Sequence, residues 1–162
     1  MYHRKRGTGA ERDFTMCLDY TMLSNEIIGL LEKTSTIILS TCADDKVTAR
    51  TMNVVNNGLT MYFQTGKNSD KAKQINKNVN VAMAVDNTQI EAVARFTDNE
   101  DEIKLCSTKF KAKFPRLYEK YADFPEEPTL VCEPLKIKLY KFIDGKICFD
   151  VLDVKENKAY RI

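Results

Sequence analysis

Three residues in the first half of the chain, Arg50, Ser69 and Lys71, have the types and the spacing to hold a phosphate. Arg50 falls in a β-prone run from Val47 to about Val55, where its same-parity neighbours include Met52 and Val54. A guanidinium among apolar side chains is costly unless an anion answers it. The alternative is an arginine at a strand edge that reaches out to solvent or pairs with a carboxylate. Downstream, Tyr62-Phe63-Gln64-Thr65-Gly66-Lys67-Asn68-Ser69-Asp70-Lys71 reads as a strand, a loop and the start of a helix capped by Ser69. Such a junction gathers free backbone N–H groups, a hydroxyl and an ammonium at one helix N-terminus, which suits a phosphate. The same pattern also describes an ordinary N-cap followed by an exposed lysine.

The inventory of reactive side chains excludes several chemistries. The only histidine is His3, so a Cys–His or Ser–His pair in the folded body is ruled out, and so is a histidine-rich metal site. The five cysteines, at 17, 42, 106, 132 and 148, are odd in number and widely spaced, and none forms a C-x-x-C pair. Most have apolar or β-prone neighbours and are expected to fill the core. That usage fits a reducing compartment, and the chain is expected to be cytoplasmic.

With 162 residues, 43% hydrophobic and 30% charged, the composition is that of one globular domain. No apolar run approaches the ~18 residues of a membrane span, and the basic start is not followed by the hydrophobic stretch of a secretory leader. The net charge of +2 comes from the first 12 residues, which hold four Lys or Arg against one Glu. The remainder has 21 basic and 22 acidic residues. A basic tail can touch nucleic acid or an anionic membrane. Gly7-Thr8-Gly9 favours a flexible leader instead, and no basic stripe interleaved with aromatics supports nucleic-acid binding by the body.

These candidate residues need elements to position them. Ser24 is read as the N-cap of a helix from Asn25 to about Lys33, followed by a strand over Ser35–Thr41 and a polar turn at Asp44-Asp45-Lys46. After the Arg50 strand, Asn56-Asn57-Gly58 is the strongest turn signal, with Asn-Gly suited to a type I′ hairpin leading into a strand from Leu59 to Thr65. The helix begun at Ser69 ends near Asn78, and strands are expected at Val79–Val85 and Ile90–Thr97. Strands this close together must pair mostly antiparallel. Glu100–Phe114 and Arg116–Tyr121 read as helices divided by Pro115, and strands follow at Leu135–Phe142 and Lys146–Leu152. Alternation from Lys136 to Phe142 predicts one buried face and one wet face. Tyr118, Tyr121 and Phe124 are expected to pack on the barrel, with a cover over a ligand as the alternative.

Taken in order, Arg50-Thr51-Met52-Asn53-Val54, Phe63-Gln64-Thr65, Ser69-Asp70-Lys71, Gln74-Ile75, Asn78 and Val81-Ala82-Met83-Ala84-Val85 resemble the pyridoxamine 5′-phosphate oxidase-like family of FMN-binding split barrels. The resemblance implies a mainly β, antiparallel split β-barrel with a few covering helices. It spans residues 22–154, between a flexible basic tail at 1–21 and a frayed C-terminal tail at 155–162. It implies FMN as cofactor, with Arg50, Ser69 and Lys71 on its phosphate. Thr51, Met52, Asn53, Gln64 and Thr65 would line the ribityl chain and ring edge. It also implies a homodimer with the flavin at the interface. Asp70 stands where many oxidase-type members have Arg, and the chain has no Trp. General-stress-protein-like members are therefore the better analogues than a true pyridoxamine-phosphate oxidase. The function implied is a flavin-dependent oxidoreductase of undefined substrate, or alternatively a flavin-binding carrier without turnover.

Overall fold

The computed structural model describes residues 16–121, with Tyr121 by its backbone alone, and residues 127–162. Ten strands and four helices follow in the order β1 (Met16–Cys17), α1 (Tyr20–Lys33), β2 (Thr36–Ala43), β3 (Lys46–Asn53), β4 (Val55–Asn57), β5 (Thr60–Gln64), α2 (Asp70–Lys77), β6 (Asn80–Val85), β7 (Thr88–Thr97), α3 (Glu100–Lys113), α4 (Pro115–Tyr121), β8 (Thr129–Ile143), β9 (Lys146–Asp153) and β10 (Lys158–Arg161). Every strand pair is antiparallel, in the order β1-β10-β9-β8-β7-β6-β2-β3, with the β4–β5 hairpin attached through β5 to β8. The expected antiparallel split barrel with covering helices is what the chain forms.

The long strand β8 organises this barrel. Its first residues, Thr129 to Cys132, pair with β5 on one edge and β7 on the other, whereas Lys136 to Ile143 pair with β9. The change of partner coincides with a register shift opposite Glu91 and Ala92, where Pro134 and Leu135 stand. Pro134 has no N–H to give to a ladder, so a bulge there costs little and lets the strand bend. The Leu135 carbonyl, freed from the ladder, accepts from Val154 at 3.0 Å.

The interior is filled by alternate residues of these strands, among them Leu39, Met61, Phe63, Met83, Ile90, Leu130, Ile137 and Leu152, and by Leu23, Ile27 and Leu31 of α1. Spacing of i, i+4, i+8 places the three α1 residues on one stripe. A second apolar cluster, Val55, Tyr62, Cys106, Phe110 and Val131, fixes α3 to the outside of β4, β5 and β8. Of the cysteines, most of which were expected in the core, only Cys106 and Cys132 are buried; Cys42 and Cys148 are half-buried and Cys17 is exposed.

Four local expectations are corrected. Helix α1 starts earlier than expected: Asp19 caps it, its carboxylate accepting from the Met22 N–H at 2.8 Å, and Ser24 lies buried inside the helix. Burying Leu23 on the same stripe as Ile27 requires that earlier start. Residues 16–21, expected to belong to the tail, thus already take part in β1 and α1. The C-terminal segment is not frayed, because β10 pairs with β9, buries Ala159 and sends Arg161 to Asp150. The β4–β5 turn centres on Gly58 and Leu59, with positive φ (+59°) at Gly58 alone. A turn centred on Asn57-Gly58 would set Val55 opposite Thr60, two residues away from its actual partner; the observed register sets Val55 opposite Tyr62, both under α3. Positive φ at both central positions occurs instead at Asp44-Asp45 and Asp144-Gly145.

Candidate functional site

Strand β3 carries Arg50 to Asn53 up to a break in the ladder at Val54, β5 ends at Gln64, and the loop after it turns into α2. Helix α2 begins as the sequence predicts, with Ser69 as N-cap and its hydroxyl accepting from the Ala72 N–H at 3.4 Å. The cap satisfies one amide and leaves those of Asp70 and Lys71 at the open helix end. Thr65 is buried behind the cap, its hydroxyl 3.5 Å from that of Ser69.

A cleft of ≈ 230 Å³ opens beside this junction. Thr51, Met52, Asn53, Gln64, Thr65 and Lys71 line one side of it, and Phe110, Leu117, Tyr118 and Glu127 line the other. Six of the eight residues expected from the sequence therefore share one cleft. Ser69 lies at the cap of α2 rather than on the cleft wall, and Arg50 lies near Lys71, the two positive charges opposing each other.

Arg50 is half-buried on β3 and points along β2. Nη1 donates to the Leu39 carbonyl at 3.1 Å and to the Thr41 hydroxyl at 2.8 Å, and Nη2 donates to the Thr48 hydroxyl. Three of the five guanidinium hydrogens are thereby used, which leaves Nε–H and one Nη2–H. Among the described residues no carboxylate pairs with Arg50 or with Lys71. Burial lowers the pKa of both groups and for Lys71 the nearby Arg50 charge lowers it further, outweighing the opposite pull of Asp70 on both and of Glu127 on Lys71. Two cations held together and partly desolvated, with no ion-pair partner, make a site that an anion would stabilise. Asp70 forms no ion pair with either cation: its side chain is 92% exposed and lies 3.9 Å from Lys73.

The far wall of the cleft was harder to see in the sequence. Tyr118 both packs on the second apolar cluster and faces the cleft, its hydroxyl 3.0 Å from that of Ser107. Phe124 and the side chain of Tyr121 lie outside the described residues. Phe110, Leu117, Gly66 and Glu127 were not expected at the site. The i, i+4, i+8 spacing of Phe110, Phe114 and Tyr118 was the available signal, but Pro115 interrupts the helix between them. Among the described residues no group of three or more His, Cys, Asp or Glu could hold a metal ion. None of their helices is long and apolar enough to cross a membrane.

Residues 23–141 match the model of the pyridoxamine 5′-phosphate oxidase family, and the chain belongs to that family. No curated protein matches the sequence. Among solved structures it is similar to general stress protein 26 from Bacillus anthracis, at 21% identity and a TM-score of 0.57, covering 77% of this chain and 96% of that one. It is similar to HutZ, the haem storage protein from Vibrio cholerae, at 14% identity and a TM-score of 0.57, covering 68% and 88%. An F420-H2-dependent reductase is similar at 14% identity and a TM-score of 0.53, covering 61% and 94%. These likenesses establish a shared fold, and their names show that it serves proteins of different cofactors.

Proposed function

We propose that this chain is an FMN-binding flavoprotein, a homodimeric cytoplasmic oxidoreductase acting on a small molecule. The observation that carries the reading is the pair Arg50 and Lys71, two half-buried cations without a carboxylate partner among the described residues, beside the cleft. A phosphate would accept from the two remaining Arg50 hydrogens, from Lys71 and from the open end of α2. Thr51, Met52, Asn53, Gln64 and Thr65 would line the rest of the cofactor. Phe110, Leu117 and Tyr118 offer apolar surface for a flat ring, beside the Glu127 carboxylate on the same wall. Bound FMN would supply the hydride- or electron-accepting group, while the chain binds and orients it.

The cleft also bears on the assembly. At ≈ 230 Å³ it falls below the ~300–1,000 Å³ of a pocket that encloses its ligand. The described residues of one chain would cover only part of a flavin, and a second copy would close the rest. The test is a titration of purified protein with FMN, followed by flavin fluorescence and visible absorption. Saturable binding that weakens in Arg50→Ala and Lys71→Ala is expected; no binding would overturn the reading. Reduction of the bound flavin by a nicotinamide donor separates an oxidoreductase from a carrier.

A further inference from the structure

The Arg50 guanidinium belongs to a hydrogen-bond circuit that ends on α2. Thr41 and Thr48, which accept from Arg50, donate in turn to Oε1 of Gln74 at 2.5 and 2.7 Å. Nε2 of Gln74 donates to the Lys46 carbonyl at 2.9 Å. Chemistry sets the direction of each bond. An arginine only donates, so each threonine oxygen receives from Arg50 and turns its own hydrogen to Gln74. That orients the amide, with its oxygen toward the hydroxyls and its nitrogen toward Lys46. The circuit is sheltered, since Thr41 is 1% and Gln74 9% exposed.

We infer that Gln74 is a positioning residue that sets the Arg50–Lys71 anion grip, a role resting on the reading of those cations as a phosphate site. Gln74 lies three residues after Lys71 and so on the same face of α2. One side chain thereby fixes the guanidinium through two hydroxyls and ties the helix bearing Lys71 to the β2–β3 hairpin. Bonds running in one direction polarise one another, and the geometry is set before a ligand arrives. The neutrality of the amide matters as much as its reach. A carboxylate at position 74 could hold the same two hydroxyls, but it would neutralise Arg50 and repel the Lys46 carbonyl.

The experiment compares FMN with riboflavin, which lacks the phosphate, on the full chain. Gln74→Met is expected to lower the preference for FMN over riboflavin about tenfold, leaving riboflavin affinity unchanged. In an Arg50→Ala background the same change is expected to cost less than it does alone, because only its hold on Lys71 is left to lose. Gln74→Glu supplies a second readout that a merely structural role would not move. Its carboxyl is a charged acceptor at about pH 8 and regains a donor for the Lys46 carbonyl only once protonated, below the ordinary glutamate pKa of about 4.3. Its FMN affinity relative to the unaltered protein is expected to recover as pH falls. The unaltered protein titrated alongside accounts for the phosphate itself and for the charges around position 74, namely Asp44, Lys46, Asp70, Lys73, Lys77 and Arg50. If Gln74→Met does not fold, Gln74→Glu decides. An unchanged FMN preference in Gln74→Met, or a pH-independent deficit in Gln74→Glu, while Arg50→Ala still lowers the preference, overturns the role of Gln74 alone. Equal FMN and riboflavin affinities in the unaltered protein overturn the grip itself, and the inference with it.

Discussion

Arg50 on β3 and Lys71 in the first turn of α2 oppose each other's charge, and no carboxylate among the described residues pairs with either. Charged hydrogen bonds are worth about 1.5–3 kcal/mol each. Arg50→Ala or Lys71→Ala is therefore expected to weaken FMN binding by about 10- to 100-fold, measured by fluorescence titration. Inorganic phosphate is expected to compete with FMN in the unaltered protein and only weakly in either variant. Asp70→Asn removes an exposed carboxylate from the same helix end. It is expected to tighten binding less than about threefold, and only at low salt, because an exposed charge is well screened.

Lys141 and Asp150 lie 2.9 Å apart, and the pair extends to Glu26 of α1 at 2.7 Å and Arg161 of β10 at 2.5 Å. This cluster clips the C-terminal strand and α1 to the β8–β9 hairpin. Asp150 is 2% exposed, while Lys141 retains 25%. Burial works against the Asp150 charge, yet the bonds from Arg161 and Lys141 prevail and hold its pKa below the ordinary value. Removing one member of a buried ionic group costs about 3–5 kcal/mol, and solvent access to the two cations favours the lower figure. Asp150→Asn is expected to lose about 3 kcal/mol in urea unfolding while keeping its FMN affinity.

That cluster also shows where sequence reading stops. The alternation from Lys136 to Phe142 reads as one apolar and one polar face, and Ile137 and Leu139 are indeed buried. Tyr140 shifts the phase without shifting the strand. It puts Phe142, 67% exposed, on the lysine face and turns Lys141 inward to Asp150. The inward lysine is sensible only because Asp150 and Arg161 arrive from later strands, and pattern alone cannot show that. The Arg50-to-Lys71 side of the cleft was legible because it is built from consecutive segments: a strand, a hairpin and a capped helix. The wall of Phe110, Leu117 and Tyr118 was not, because α3 reaches the site through long-range packing of Cys106 and Phe110 on Val55, Tyr62 and Val131. The same packing decided the β4–β5 register against the local preference of Asn57-Gly58.

Glu102 ties the start of α3 to β7. Bonds from Arg95 and then from Thr97 push its pKa down to about 2 from 4.5. A depressed carboxylate stabilises the fold fully above its unfolded pKa and loses that contribution as pH falls through the folded value. The melting temperature is therefore expected to fall between about pH 4.5 and pH 2, partly through this group. Glu102→Gln is expected to melt lower at neutral pH and to show a shallower decline over that acid range. Equal slopes for the two proteins would remove Glu102 from the account.

The sheet face beside the cleft supplies the test of assembly. Ile38, 48% exposed, pairs in register with Thr51 on β3 and Ala84 on β6, both also exposed, and Ala49 and Ala82 extend this small-residue surface. Thr51 borders both the cleft and this face, so a second copy seated on the face would come to lie against the flavin. Ala84→Arg places a long charged side chain at its centre without touching Arg50, Ser69 or Lys71. It is expected to convert a dimer to a monomer in sedimentation velocity, to leave the melting temperature of the barrel nearly unchanged, and to release FMN faster. A variant that remains dimeric and keeps its flavin would place the subunit contact on another face. A monomeric variant with undiminished FMN affinity would show instead that one chain suffices to hold the cofactor.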